Sequence, residues 1–236
     1  MRIEPLGDSA LIVRVVDEFA LDPDASLSAV LAALRALEAA AIPGVIELAP
    51  AYTTVAMFFD PARVAPGEIG QPPFDSFRNK IESLLNRGPV DRKPKSESAA
   101  IEVPVCYEGE FAPDLAEVAR HAGLSEDEVL RRHSSASYRV TCIGFTPGFP
   151  FLSGLPSELA TPRRAMPRKE IPAGAVGIGG AQTGIYPRKS PGGWNLIGRT
   201  PLRLFDVQRE QPALFQAGDR VRLRKISREE FDSLSR

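Results

Sequence analysis

The chain has 236 residues, 43% of them apolar and 25% charged, with a formal net charge of −1. That length makes one large domain or two ordinary ones with real cores, and the near-neutral balance excludes a global field that would draw the protein to nucleic acid. Apolar runs such as VLAALRAL are too short and too interrupted by charge to span a bilayer, so no membrane association is expected.

The first ninety residues have a readable rhythm. Arg2–Pro5 and Ala10–Val15 read as strands around the turn LGDS. From Pro23 to Ala40, Leu27, Val30, Leu31, Leu34 and Leu37 fall at helical spacing behind a cap at Asp22 or Asp24, and Pro43-Gly44 is expected to end that helix. Val45–Leu48 and Thr53–Phe59 form a second strand pair, and a second amphipathic helix runs from about Phe74 to Asn86, stopping at Gly88-Pro89. The order ββαββα predicts a small sheet covered on one face by two helices. Residues 90–99, VDRKPKSESA, are polar and poor in apolar anchors, which places a linker there between domains 1–89 and 100–236.

The second half changes character. Ile101–Cys106 is a strand; Asp114 with Glu117, and Ser125 with Glu128, have capping-box spacing and open two short helices; Tyr138–Phe145 is a strand again. From Gly144 to Pro201 glycine and proline are dense between short apolar runs, which argues for an all-β barrel or sandwich and makes the whole an α+β chain. Leu202–Phe205 and Arg220–Lys225 supply late strands, with a short helix near Glu229–Leu234.

The candidate site residues cluster in this half. CIGFTPGFPFLSGL (142–155) is a stiff, apolar loop without a titratable group apart from its cysteine thiol. GAVGIGGAQTG (174–184) misses the dinucleotide fingerprint, because Gln182 stands where its last glycine belongs and no helix follows; it is either a tight barrel turn or a nest of backbone N–H groups for an anion. Between Thr161 and Arg203 stand eight basic residues against Glu170 alone, so this stretch meets a carboxylate or phosphate, or acidic partners elsewhere in the fold. His133, at the end of the 125–135 helix just before the strand that feeds the loop, is either a cap or an acid–base group. Ser190, in a rigid loop beside basic residues, either caps its own turn or takes part in a site; Trp194, behind Gly192-Gly193, is a core plug or a wall for a planar ligand. Cys106 and Cys142 lack a CxxC spacing, and no HExxH pair is present, so no metal site is expected; MRIEPLGDSA lacks the apolar stretch of a secretory signal, so a cytoplasmic location is expected.

The run YRVTCIGFTPGFPFLSGL, with PRRAMPRKEIPAGAVGIGGAQTGIYPRKSPGGWNLIG, LGDSALIV and LRRHSSASY, strongly resembles the family of 5-oxoprolinase B subunits, also called KipI or allophanate hydrolase subunit 1. The resemblance runs nearly end to end. It implies a small N-terminal α+β domain and a C-terminal cyclophilin-like β-barrel. It further implies a role beside a larger C subunit and a third, A subunit in the ATP-dependent opening of 5-oxoproline to glutamate. Relatives also occur as a carboxyltransferase-related segment of urea carboxylase and as an inhibitor that binds a histidine kinase, so fold alone does not decide function. Within that reading the residues expected to be catalytic, assigned from their chemistry and not from the family, are His133, Arg168 and Gln182. The expected substrate or phosphate contacts are Arg163, Gly179, Gly180, Tyr186, Ser190, Gly193 and Trp194, behind a loop wall of Phe145, Pro147, Gly148 and Phe149. ATP, with Mg2+, is the expected co-substrate of the complex. The chain alone is expected to be inactive.

Overall fold

In the computed structural model, residues 1–19, 22–64, 73–86 and 99–235 are described. The chain forms two compact units, Met1–Glu97 and Ser98–Arg236. The expected linker lies outside the described residues apart from Ala99, as does the expected helix stop at Gly88-Pro89.

The first unit comprises β1 (Arg2–Pro5), β2 (Ala10–Arg14), α1 (Pro23–Ala39), β3 (Val45–Ala51), β4 (Thr54–Phe59) and α2 (Pro73–Asn86). Its strands form one antiparallel sheet in the order β1-β2-β4-β3. Alternation along β2 and β4 turns Leu11, Val13, Val55 and Met57 inward, where they meet Val30 and Leu37 of α1 and Phe77 and Ile81 of α2. The Asp22 carboxylate caps α1 by accepting from the Ala25 N–H at 2.9 Å. Its exit differs from expectation. Ala41, at φ +42°, takes the left-handed turn, and Gly44 follows three residues later. Gly44 is itself at φ +87°, and a Cβ there would also lie 2.9 Å from the Arg63 carbonyl carbon.

The second unit comprises β5 (Ile101–Cys106), α3 (Leu115–Ala122), α4 (Glu126–Ser135), β6 (Ser137–Ile143), β7 (Pro150–Ser153), β8 (Arg168–Ile171), β9 (Ala175–Gly179), β10 (Gln182–Ile185), β11 (Ser190–Gly192), β12 (Asn195–Arg199), β13 (Arg220–Ile226) and α5 (Arg228–Leu234). Seven strands close into a barrel, β10-β7-β6-β13-β5-β12-β9, in which only β13 and β5 run parallel; β8 and β11 form a separate ribbon. Val103, Val140, Leu152, Val176, Ile178 and Ile197 fill the barrel and pack with Leu115, Val118 and Val129 of α3 and α4. Closure leaves no long strand edge exposed.

Two expectations fail here. Leu202–Phe205 is no strand: it makes only an isolated bridge, Phe205 to Ala213. Ser125 caps α4 as its spacing predicts, accepting from the Glu128 N–H, but Asp114 makes no side-chain cap on α3. Its carboxylate is drawn to stronger donors.

Candidate functional site

The loop between β6 and β7 closes on itself, Gly144 N–H donating to the Phe149 carbonyl at 3.1 Å and Phe149 N–H to that of Thr146 at 3.0 Å. Four expected wall residues, Phe145, Pro147, Gly148 and Phe149, therefore share one tight turn. Gly148 has φ +82°, and a Cβ on it would meet Phe205 Cβ at 2.8 Å. Phe149 is buried, with its ring edge-on to Tyr186 at 5.1 Å and to Trp194 at 5.5 Å. Phe145 is different: 63% exposed, at φ +61°, and touching Phe149 and Tyr186 with one edge. A bulky residue in the left-handed region is strained, and such strain gathers at functional positions.

Trp194 is buried and belongs to a small core with Phe149, Ile171, Tyr186 and Leu196. The glycine-rich strands exist to receive it. A Cβ on Gly179 would fall 2.5 Å from the indole nitrogen, and one on Gly184 2.9 Å from the ring. The anion-nest expectation for Gly179 and Gly180 is corrected by the same geometry. Residues 176–178 are paired on both sides, with β10 and β12, Gly179 pairs with Gln182 of β10, and the Gly180 N–H donates to the Thr161 carbonyl at 2.8 Å. These glycines serve the β9–β10 hairpin and its bridge to Thr161 rather than a ligand.

Asp114 is the charge centre of the barrel's outer face, and sequence reasoning saw it only as a cap. Only 4% exposed, it accepts from Arg164 at 2.7 Å, from both Nη atoms of Arg168 at 2.8 Å, and from the Leu196 N–H at 2.7 Å. A buried carboxylate held by two guanidinium groups and an amide is costly to break apart. Arg168, expected as a catalytic cation, is thereby committed to a structural pair. The excess of arginines over acids between Thr161 and Arg203 was the available signal that an acid had to come from elsewhere. Arg164, also missed as an individual residue, keeps a buried Nε without a partner.

His133 is fully buried, its Nδ1 3.1 Å from the Tyr107 hydroxyl and its Nε2 3.0 Å from that of Thr183. The Thr183 hydroxyl donates to the Gly177 carbonyl, so its oxygen accepts from Nε2–H, and Nδ1 accepts from Tyr107; the tautomer is assigned from this network. Burial pushes the imidazole down to about 3. A neutral ring with both nitrogens bonded and no surface cannot exchange a proton with an outside ligand. The acid–base expectation for His133 is corrected on that ground: it ties α4 to β10.

The remaining expected residues divide. Gln182 is half-buried on β10, opposite Gly179. Tyr186 is 2% exposed, and burial raises its phenol. Ser190 lies on the β8–β11 ribbon opposite Ile171, its buried Oγ without a partner. Gly193 accepts from the Arg164 N–H at 2.7 Å, which fixes the 162–168 loop beside Trp194. Arg163 rises from that loop, its guanidinium 6.0 Å from the Trp194 ring, exposed and without an ion-pair partner among the described residues. It borders a cleft of about 410 Å³ with Arg164, Met166, Asn195, Glu117 and His121. This is the one part of the expected set that combines an available cation with space for a ligand. Among the described residues no three His, Cys, Asp or Glu side chains converge to hold a metal ion, and no helix is long and apolar enough to cross a membrane.

Known proteins resemble this chain in sequence and fold. The chain is 43% identical over 233 residues to the B subunit of 5-oxoprolinase from Bacillus subtilis (strain 168), covering 98% of this chain and 95% of that one. It is 54% identical over 142 residues to the 5-oxoprolinase B subunit of Escherichia coli O157:H7, covering 60% of this chain and 65% of that one. Among solved structures, TTHA0988 matches with a TM-score of 0.75 at 36% identity over 93% of this chain, which spans only 40% of that longer one. The model of the carboxyltransferase domain, subdomain C and D, matches residues 1–215, and the chain belongs to that family.

Proposed function

We propose that this chain is the B subunit of an ATP-dependent 5-oxoprolinase, opening 5-oxo-L-proline to L-glutamate together with the A and C subunits. The observation that carries the reading is its end-to-end likeness to a B. subtilis protein of that name. We read the closed barrel as cyclophilin-like.

A lactam resists water because its amide is resonance-stabilised. ATP supplies the activation, by phosphorylating the amide oxygen before water attacks the ring carbon. The residues described here fit neither the nucleotide's phosphates nor Mg2+: the glycine N–H groups are spent in the ladder, and no carboxylates converge. The nucleotide and its metal ion are therefore assigned to a partner in the complex, and no step is routed through this chain's glycines. This chain contributes Arg163, whose free guanidinium is suited to the carboxylate of 5-oxoproline, beside the exposed Phe145 loop that meets the C subunit. The chain alone is inactive on this reading.

The test is ATP-coupled glutamate release by the chain co-expressed with the A and C subunits. Arg163→Ala is expected to raise KM for 5-oxoproline about tenfold or more, the worth of one charge-assisted hydrogen bond, with kcat less affected. Absence of turnover with both partners would sink the assignment; turnover with unchanged KM in Arg163→Ala would remove Arg163 from it.

A further inference from the structure

A second cleft in the barrel unit, of about 380 Å³, opens between the turn after β5, the start of β9, β12 and α5. Its size suits a small molecule. Phe111 and Phe231, both nearly buried, form an apolar floor and contact each other at 4.5 Å between ring centres. Arg228 lies over the Phe111 ring at 4.6 Å, and Arg199 spans both rings, its guanidinium 5.5 Å from Phe111 and 5.9 Å from Phe231.

The other charges around the cleft hydrogen-bond to one another, whereas Arg199 acts on Glu110 only through space. Arg168 is bound to Asp114, and Arg228 to Glu110 at 2.6 Å and to Asp232 at 3.0 Å. Glu170 is bound to Lys189. Arg199 gives its Nε–H to the Ala173 carbonyl at 2.9 Å, which orients the planar group. Its two Nη groups have no partner among the described residues. A guanidinium held by aromatic faces and one backbone bond is pre-organised, so a ligand need not meet the full cost of ordering it.

We propose that this cleft binds a compact organic monocarboxylate, its carboxylate on the Nη edge of Arg199 and its apolar body on Phe111 and Phe231. One guanidinium edge with no hydrogen-bonded acid matches one negative charge. Glu110 and Glu170 line the same cleft and oppose a second, which disfavours dicarboxylates and inorganic phosphate. The proposal does not depend on the oxoprolinase reading, because it concerns binding by this chain without its partners.

Titration calorimetry on the full chain tests it with cyclopentanecarboxylate, its neutral analogue cyclopentylmethanol, glutarate and inorganic phosphate. Saturable binding of cyclopentanecarboxylate is expected, about tenfold or more tighter than of the alcohol, with glutarate and phosphate weaker. Arg199→Gln should lose about tenfold in that affinity. Glu170→Gln, at an exposed rim position, should gain about twofold by removing a repelling charge, an outcome that misfolding cannot produce. No binding of the carboxylate by the wild-type chain, equal affinity for carboxylate and alcohol, or full affinity in Arg199→Gln would each overturn the proposal.

Discussion

Protonating His133 would set two N–H donors against the hydroxyls of Tyr107 and Thr183 inside a sealed core. Burial lowers its pKa from 6.5 to about 3, so between those values the unfolded chain binds a proton that the folded chain refuses. Stability is therefore complete above the unfolded value and falls as pH drops through that window, at about 1.4 kcal/mol per pH unit. From about pH 7 to about pH 5 the expected loss is roughly 2 kcal/mol. Glu128 is held down to about 2 by hydrogen bonds from Arg131 and then Arg132, so its own titration falls below this range. Urea unfolding of the barrel unit, followed through the emission of Trp194, measures the loss. His133→Gln should be less stable at neutral pH yet much flatter between the two conditions, and equal pH dependence in both proteins would contradict the buried neutral ring. From sequence, a histidine at a helix end, one strand before a glycine-rich loop, reads as an acid–base group or a cap. What removes the acid–base reading is the pair of hydroxyls, one 26 and the other 50 residues away.

Glycine has two distinct uses in the β9–β10 hairpin. Gly179 is required by contact: an added methyl would sit 2.5 Å from the indole nitrogen of a tryptophan packed in its own core. Gly180 is required by conformation: its φ is +66°, and nothing lies within 4 Å of a Cβ built on it. Gly179→Ala should cost about 1–3 kcal/mol by overpacking and shift the Trp194 emission. Gly180→Ala should cost about 1 kcal/mol of left-handed strain and leave the emission unchanged. Identical spectra for the two variants would refute the division. Turn signals between short apolar runs made the barrel legible, because closely spaced glycines and prolines exclude long helices and keep the strands short. The use of each glycine was not legible, since the side chain that demands it comes from another strand. Asp114 shows the same limit: its spacing to Glu117 predicts a cap, but two arginines 50 and 54 residues on are stronger donors than a helix amide.

At the scale of the whole molecule, family membership was readable because long motifs recur in order, whereas the supposed chemistry redistributed on folding. His133 became core, Arg168 became one of two arginines on a buried carboxylate, and the glycine segment became strand and hairpin. What stays outward is Arg163 in one cleft, Arg199 in another, and Phe145 at the tip of the loop. A 63% exposed phenylalanine at φ +61° gives up stability in the isolated chain, and contact with a partner protein is what would retain it. Two substitutions separate the strain from the ring. Phe145→Ala and Phe145→Gly both remove the aromatic edge that touches Phe149 and Tyr186. Only glycine also relieves the backbone, so Phe145→Gly should be the more stable of the two by about 1 kcal/mol in urea unfolding. Equal stabilities would mean that the left-handed conformation is not held in solution. Association supplies the other half of the argument: both variants should fold yet lose most of their co-purification with the C subunit, since an exposed aromatic anchor concentrates binding energy. Wild-type recovery of that partner by both would place the contact elsewhere and leave the strain at Phe145 without a function.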